Sequence, residues 1–336
     1  MSGQTGNMPK RHLGVDGPLV SAMGLGTMSM GHVYGRADDA ESLATLELAF
    51  ASGVTFFDTA DFYGVGHSQE VLRSFVKEHD REEFFISSKY GPMLLPGGVF
   101  GRMNGDPEHM KHTLAYDLKR LGVDYIDLYF PARVDRSVPI ETQVEALAEM
   151  VDQGFIRHIG LSEASPETVR KAHEVHPISA VQVEYSLWSR EPERELLSTL
   201  QELGIALVAY APLSRGFLSG VVTAPGDFES IDIRHRMPRF NEENFQANLE
   251  IVKELGNLAS AKGVSTAQLA IAWILAQGEN IIALVGTKTR AHLEEDLGAT
   301  MVELTREDLD SIDEIMQRNA VAGDRYGPAQ MTSLNQ

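Results

Sequence analysis

The chain has no cysteine, which excludes disulfides, thiolate metal sites and cysteine nucleophiles. It is poor in cations, with 29 Lys and Arg against 48 Asp and Glu and a formal net charge of −19. Such a surface repels nucleic acid and anionic membranes and ordinarily serves solubility. An anionic ligand would have to be met by local clusters of positive charge. No apolar stretch has the length of a membrane-spanning helix, and the polar, glycine-rich start lacks the apolar core of a signal peptide. These absences lead to the expectation of a soluble cytoplasmic protein with neither a nucleic-acid nor a membrane partner. No composition break or Pro/Gly/Ser-rich linker divides the 336 residues, so residues 1–336 are read as one domain. Barrels of α/β type reach that size as single units.

What the chain does have is alternation. Residues Arg11 to Ala22 form an opening hairpin that turns at Asp16-Gly17-Pro18. Strand-length apolar runs follow at Ser21–Leu25, Val54–Phe57, Phe84–Lys89, Tyr125–Phe130, Ile156–Leu161, Ala180–Glu184, Ile205–Ala209 and Ile281–Val285. Between them lie helical patterns. Leu114, Leu118 and Leu121 recur at i, i+4, i+7, as do Val144, Leu147 and Val151 nearly so. Ser165 before Pro166 reads as an N-cap with Pro at the first helical position, and Ser265 caps the helix that follows. Eight strands alternating with helices predict an α/β fold of (β/α)8 TIM-barrel type, with an N-terminal β-hairpin and extra helices near the C-terminus. A doubly wound sheet is the alternative. It calls for a G-x-G-x-x-G turn, and Met23-Gly24-Leu25-Gly26-Thr27 lacks the third glycine. The segment Ser214 to Asn241 is long and charged, a length that usually marks function or disorder.

In such a barrel the active site lies at the C-terminal ends of the strands. Asp58, Lys89, Ser162, Gln182 and Tyr210 all fall there, and Tyr63 lies on the loop after Asp58. A phenol with an ordinary pKa of about 10 has little tendency to give its proton at neutral pH. A neighbouring ammonium would lower that value. Lys89 fits that part, with Asp58 keeping Lys89 charged and fixed. The phenol would then protonate the alkoxide formed as hydride reaches a carbonyl carbon.

Asp58-Thr59-Ala60-Asp61-Phe62-Tyr63-Gly64, the lysine closing the third strand and Gly160-Leu161-Ser162 resemble the signatures of the aldo-keto reductase superfamily. So do Gln182-Val183-Glu184-Tyr185-Ser186-Leu187, Ala209-Tyr210-Ala211-Pro212-Leu213 and Gly286-Thr287-Lys288 with Leu293-Glu294-Glu295-Asp296. The resemblance implies a barrel that binds NADP(H) and reduces a small-molecule aldehyde or ketone, reversibly toward the alcohol. It implies Tyr63 as proton donor, Lys89 as its acidifier and Asp58 as the partner of Lys89. It places Gly26, Thr27 and Asp58 at the cofactor, Ser162, Glu163 and Gln182 at the nicotinamide carboxamide, and Tyr210 on the nicotinamide face. Pro212, Leu213, Ser214 and Gly216 fall where the pyrophosphate passes. Gly286, Thr287, Lys288 and Arg290 fall at the adenosine phosphate, and Glu295 and Asp296 at the adenine. Met28, Phe62, Met93 and Trp188, with Phe100, would line the substrate pocket. No metal is implied.

The pattern departs from the family on the fourth strand. A frame that usually reads Asp-Leu-Tyr-x-x-His-Arg-x-Asp runs here Asp127-Leu128-Tyr129-Phe130-Pro131-Ala132-Arg133-Val134-Asp135, so alanine stands at the histidine position. This Pro-Ala-Arg form resembles a bacterial, pyridoxal-reductase-like subset. Loss of one such donor typically costs on the order of 10²–10³ in rate. Three explanations stand. Another group or a water replaces the histidine (His109 and His112 are candidates), the substrate is activated enough not to need it, or the protein is a nucleotide-binding, redox-sensing regulatory subunit with little turnover. Glu163 and Asp296 also stand where asparagine is common. Substrate identity, direction and oligomeric state are not written in these motifs.

Overall fold

Every apolar run of strand length enters one closed parallel barrel, in the order β3-β4-β5-β8-β9-β10-β11-β12. The strands are β3 (Met23–Gly26), β4 (Phe56–Asp58), β5 (Phe85–Tyr90), β8 (Ile126–Pro131), β9 (Ile156–Ser162), β10 (Ile178–Glu184), β11 (Ala206–Tyr210) and β12 (Ile281–Gly286). The computed structural model describes residues 8–15, 17–96 and 98–335. The opening hairpin is β1 (Lys10–His12) paired with β2 (Leu19–Ser21); Asp16 of its expected turn lies outside the described residues. A second hairpin, β6 (Pro92–Leu95) with β7 (Val99–Met103), rises after β5.

Period-two alternation sorts the strand residues into two cores. Phe57, Ile86 and Tyr129 face outward, into the large cluster shared with the helices. Phe56, Phe85, Leu128, Phe130, Ala180, Ala206, Val208, Ile282 and Leu284 face inward and fill the barrel, with Leu13 and Val20 of the N-terminal hairpin joining them. Continuing the inward faces up the strands reaches Asp58, Ser162, Gln182, Tyr210, Gly26 and Gly286, and on β5 Ser87 and then Lys89. The polar residues of the motifs are therefore the top layer of the same stack whose lower layers are apolar. Gly24 is required below them, because a Cβ there would lie 2.5 Å from the Phe56 ring.

The helices are α1 (Asp39–Ala51), α2 (His67–Val76), α3 (Pro107–Leu121), α4 (Ile140–Asp152), α5 (Pro166–Val175), α6 (Leu196–Leu203), α7 (Glu242–Lys262), α8 (Thr266–Ala276), α9 (Arg290–Leu297) and α10 (Arg306–Arg318). Both expected caps form. The Ser165 hydroxyl accepts from the Thr168 amide, and Ser265 with Gln268 makes a reciprocal capping box. The long segment after β11 is a series of short 3₁₀ turns at Ser214–Ser219, Pro225–Asp227, Ile233–Arg236 and Pro238–Phe240. Beyond α10 the chain returns over the barrel mouth. Asn248 of α7 exchanges hydrogen bonds with the Ala322 backbone at 2.9 Å each way. The Asn335 carboxamide oxygen accepts from the Ser165 amide at 2.8 Å, tying the chain end to the start of α5. This return places Arg325 and Tyr326 on the rim.

Behind β4 and β5, Asp61 lies near enough to Asp117 for their charges to interact, and Arg120 stands 3.7 Å from Asp117 and opposes the shift of both. Asp117 accepts from the Gln69 amide (2.8 Å), the Ser88 hydroxyl (3.2 Å) and the Tyr129 phenol (3.3 Å). Asp61 Oδ1 is occluded without a partner. Burial, reinforced by Asp117, pushes Asp61 up to about 8, and burial pushes Asp117 up to about 6. The folded state thus holds protons on these two carboxyls that the unfolded chain releases near pH 4, so their contribution to stability falls as pH rises from about 4 to 8. Asp61→Asn is expected to flatten that decline and to exceed the parent at pH 8 by on the order of 1–3 kcal/mol. Urea unfolding at pH 5 and pH 8 reads this, and parallel losses in both proteins would contradict it.

Candidate active site

The centre of the top layer is a buried ion pair. Lys89 Nζ lies 2.5 Å from Asp58 Oδ1 and donates to the Thr59 carbonyl at 3.0 Å. Asp58 Oδ2 accepts from the Ser87 hydroxyl at 2.6 Å and from Gln182 Nε2 at 3.0 Å. The Thr27 hydroxyl and amide both bond the Asp58 carbonyl, at 3.0 and 2.9 Å, which locks the end of β3 to the end of β4. Lys89 Nζ lies 5.0 Å from the Tyr63 ring centre and 5.4 Å from that of Phe130. Asp58, Tyr63 and Lys89, from two strands and a loop, are thus brought together.

The electrostatics differ from the expectation that Lys89 acidifies the phenol. Burial, then the Asp58 charge and Tyr34, push Tyr63 well above the ordinary tyrosine value, while Arg133 pulls it down. Burial lowers the Lys89 ammonium against the opposing pull of Asp58. The physical reason is the short Asp58–Lys89 contact. The carboxylate cancels much of the ammonium field at Tyr63, so desolvation of the phenolate dominates. Tyr63 is consequently a neutral phenol at physiological pH.

Beside this centre stands an arginine–carboxylate network. Glu184, fully buried, accepts from Arg215 at 2.6 Å and Arg239 at 3.3 Å. Burial pushes its carboxyl up, but Arg215, Arg239 and Arg325 together hold it below the usual range. Glu163 receives both nitrogens of Arg325 at 3.3 Å, the Tyr210 hydroxyl at 2.8 Å and the Glu184 amide at 2.9 Å. The Tyr210 and Tyr326 hydroxyls are 2.9 Å apart, and Arg133 Nη2 donates to Tyr326 at 3.2 Å. Four arginines (133, 215, 239 and 325) meet two carboxylates here, a local excess of positive charge on a protein of net charge −19.

The loop after β11 is backbone-strained. Ala211, Ser214 and Arg215 take left-handed φ of 54°, 46° and 59°, followed by Gly216 at 93°. Such non-glycine conformations cost of order 1–3 kcal/mol each and cluster at ligand clamps. Successive amides turned this way form an anion-binding concavity. Pro212, Ser214 and the Arg239 contact to the Ser214 hydroxyl (3.3 Å) fix the loop. At Gly286 the β12 end is exposed, and an added Cβ there would meet only the Gly26 carbonyl, at 3.9 Å. These observations fit a dinucleotide with a diphosphate laid across the mouth, between the β11 loop and the β12–β3 seam.

The remaining expected residues are more dispersed. Lys288 Nζ bonds the carbonyls of Tyr34 (2.9 Å) and Arg36 (2.5 Å), and Arg290 pairs with Glu41 at 2.8 Å. Asp296 is buried, and that burial, with Glu295 beside it, pushes its carboxyl up to about 8. Phe62 packs edge-on against Tyr63 (5.0 Å) and Phe100 (6.0 Å), and Met93 accepts from Asn104 at 3.8 Å. Met28 lies at the start of the 3₁₀ turn after β3. Trp188 is buried against Phe217 at 4.9 Å. His109 and His112 sit on α3, the latter against Tyr116. Neither contacts Tyr63, Lys89 or Asp58. A trio of His32, Asp39 and His67 converges outside the strand ends. There His67 pairs with Asp39 at 2.8 Å and His32 Nδ1 accepts the Ala37 amide, which uses up those ring nitrogens. Tyr34, Arg239, Arg325 and Tyr326 were not legible as site residues. Their partners lie far away in sequence, and no local spacing marks them.

Comparison with known proteins agrees with this geometry. The model of the Aldo/keto reductase family matches residues 22–317. The chain is 40% identical over 318 residues to "Probable aldo-keto reductase 1" of Glycine max, covering 94% of this chain and 90% of that protein. It is 40% identical over 326 residues to "Aldo-keto reductase yakc [NADP(+)]" of Schizosaccharomyces pombe, covering 96% and 95%. Among solved structures it resembles the glycerol dehydrogenase AKR11B4 from Gluconobacter oxydans, with a TM-score of 0.84, 27% identity and coverage of 95% and 98%. It also resembles the thermostable aldo-keto reductase Tm1743 in complex with the inhibitor epalrestat, with a TM-score of 0.72, 31% identity and coverage of 92% and 100%. A barrel whose mouth carries Asp58, Tyr63 and Lys89, matched along nearly its whole length, is an oxidoreductase that belongs to the aldo/keto reductase family.

Proposed function

We propose that this protein is an NADPH-dependent carbonyl reductase, reversible toward alcohol oxidation, in which Tyr63 supplies the proton. The observation that carries this reading is the neutral, buried Tyr63 phenol set beside the Asp58–Lys89 pair. Bound NADPH supplies the hydride to the carbonyl carbon. The chain's own residues do the rest. Tyr63, held protonated by burial, gives its proton to the oxygen as negative charge develops there. Lys89, fixed by Asp58 and the Thr59 carbonyl, stabilises the phenolate that remains. Phe62, edge-on to Tyr63, and Phe100 beyond it offer an apolar surface next to that phenol, and Met28 and Met93 would extend it, in keeping with a small carbonyl substrate.

Ser162, Gln182 and Tyr210 would hold the nicotinamide end, and the Leu213–Gly216 loop with Arg215 the diphosphate. Glu163 is already saturated by Arg325, Tyr210 and the Glu184 amide. Its part is therefore to orient Tyr210 and the tail. Lys288 and Arg290, with Gly286 and Thr287, would hold the adenosine phosphate, and Glu295 with Asp296 the adenine. A charge-assisted hydrogen bond contributes about 1.5–3 kcal/mol, so Lys288→Ala is expected to raise the KM for NADPH by ~10–100-fold and to leave that for NADH nearly unchanged. Equal losses for both cofactors would remove Lys288 from the 2′-phosphate.

The reading itself is tested by NADPH consumption with a panel of aromatic and aliphatic aldehydes. Turnover with several of them is expected. Tight NADPH binding with no turnover across the panel would instead favour a nucleotide-sensing regulatory subunit.

A further inference from the structure

Glu163 follows Ser162 at the end of β9 and has left-handed backbone, with φ 50°. A non-glycine residue keeps that conformation only where its surroundings over-determine it. Its amide donates to the Gln182 carbonyl at 3.0 Å, and the Gln182 side chain donates to Asp58 at 3.0 Å. Two hydrogen bonds therefore lead from Glu163 to the Asp58–Lys89 pair. On its other side Glu163 meets the C-terminal return. Its carbonyl accepts the Asn335 amide at 3.1 Å, and its carboxylate takes Arg325 Nη1 and Nη2 at 3.3 Å each. Both side chains of that pair are almost wholly buried. Oε1 also accepts the Tyr210 hydroxyl at 2.8 Å. Since Tyr210 gives its proton to Glu163, its oxygen is the acceptor toward Tyr326, at 2.9 Å. The Tyr326 oxygen in turn accepts from Arg133 at 3.2 Å. One directed chain thus runs from Arg133 through Tyr326 and Tyr210 to Glu163, and Arg325 closes it. The Tyr210 ring is held at its Cβ by β11 and at its oxygen by this chain. The return that supplies Arg325 and Tyr326 is itself tied on both sides of them. Asn248 holds Ala322, and Asn335 accepts from the Ser165 amide and the Thr168 hydroxyl at 2.8 Å each.

We propose that Arg325 and Tyr326 are positioning residues of the nicotinamide site, holding Tyr210 as the wall against which the nicotinamide ring lies. Arg325 acts through Glu163, and Tyr326 through the phenol oxygen of Tyr210. This rests on the reductase reading above and its placement of the nicotinamide at Tyr210. Neither residue touches the reacting atoms. Their effect on rate passes through the position of the nicotinamide over the carbonyl carbon, and hydride transfer is steep in that position. The carboxylate at position 163, where asparagine is common in the family, is on this assignment the anchor for Arg325. An amide there would leave the buried guanidinium without its ion-pair partner.

The test uses the full chain, NADPH and 4-nitrobenzaldehyde as probe, and reads kcat, both KM values, Tm and NADPH affinity from fluorescence quenching. Tyr326→Phe is expected to lower kcat by ~5–10-fold and Arg325→Met by ~10–100-fold, with the aldehyde KM changed less than about twofold. Arg325→Lys should keep part of the rate. Tyr210→Phe lacks the hydroxyl but keeps the ring. In that background both substitutions should cost less than about twofold more, because contacts within one network are not additive. A merely structural role lowers Tm and multiplies the loss in either background. Losses that multiply in that way, or parental kcat in both single variants, overturn the assignment and leave the reductase reading standing. Should Arg325→Met not fold, the Tyr326→Phe cycle, which removes one oxygen, decides alone. Tyr210→Ala at parental rate and NADPH affinity removes the nicotinamide from Tyr210, and this assignment with it. A parent that binds NADPH and reduces no aldehyde sinks the reductase reading as well.

Discussion

Tyr63→Phe is expected to lower kcat for carbonyl reduction by ~10²–10⁴-fold while leaving NADPH affinity within about threefold. The substitution removes one oxygen and little packing. The Tyr63 side chain is buried, its ring meets Phe62 edge-on at 5.0 Å, and no hydrogen bond among the described residues involves its hydroxyl. Loss of that oxygen therefore strands no partner, and stability should change little. Rate and stability separate cleanly here, so a large fall in kcat at unchanged Tm would be a chemical effect. The phenol's raised pKa also sets the direction dependence. Reduction needs the protonated form and should persist into alkaline solution. Alcohol oxidation needs the phenolate and should rise with pH.

Asp58→Asn is the second large effect, and it falls on folding as well as on catalysis. Lys89 is almost fully buried, and Asp58 is its counter-charge. Breaking a buried pair by removing one partner typically costs about 3–5 kcal/mol, because a charge is left without compensation. Burial already pulls the Lys89 pKa down, and without Asp58 nothing opposes that pull. The variant should lose several degrees of Tm and most of its turnover, since a neutral lysine does not stabilise the Tyr63 phenolate. Replacing both residues, Asp58→Leu with Lys89→Met, should recover stability but not activity. Recovery of activity in the double variant would remove the pair from the mechanism. Failure of the stability to recover would instead mean that the surrounding Ser87 and Gln182 hydrogen bonds, not the charges, decide the cost.

The barrel was legible because two physical periods run through the chain. Apolar strands such as Ile281–Gly286 are buried on both faces, and all but β8, which runs out on Phe130, Pro131 and Ala132, carry a polar or glycine residue to the mouth. Asp58, Lys89, Ser162, Gln182 and Tyr210 could thus be placed in one layer from strand ends alone. Capping chemistry was equally local, as at Ser165 and Ser265. The arginine network was not legible. Arg325 meets Glu163, and Tyr326 meets Tyr210, across more than a hundred residues, and only the closed fold brings them together. Nor did spacing reveal that Asp58 would cancel the field of Lys89 at the phenol. That follows from a distance, not from a motif. Trp188, expected at the substrate, packs its ring against Phe217 of the 3₁₀ segment after β11, a contact that no local spacing marks.

In the proposed reaction, hydride from the nicotinamide and the proton from Tyr63 meet on one carbonyl group. A single-turnover reaction of the parent and of Tyr63→Phe with NADPH dideuterated at C4 and an aldehyde reads this directly. The parent is expected to place deuterium on the alcohol carbon, and Tyr63→Phe to form the same labelled product at least ~10²-fold more slowly. Unlabelled alcohol from the parent, or labelled alcohol from Tyr63→Phe at the parental rate, would contradict it.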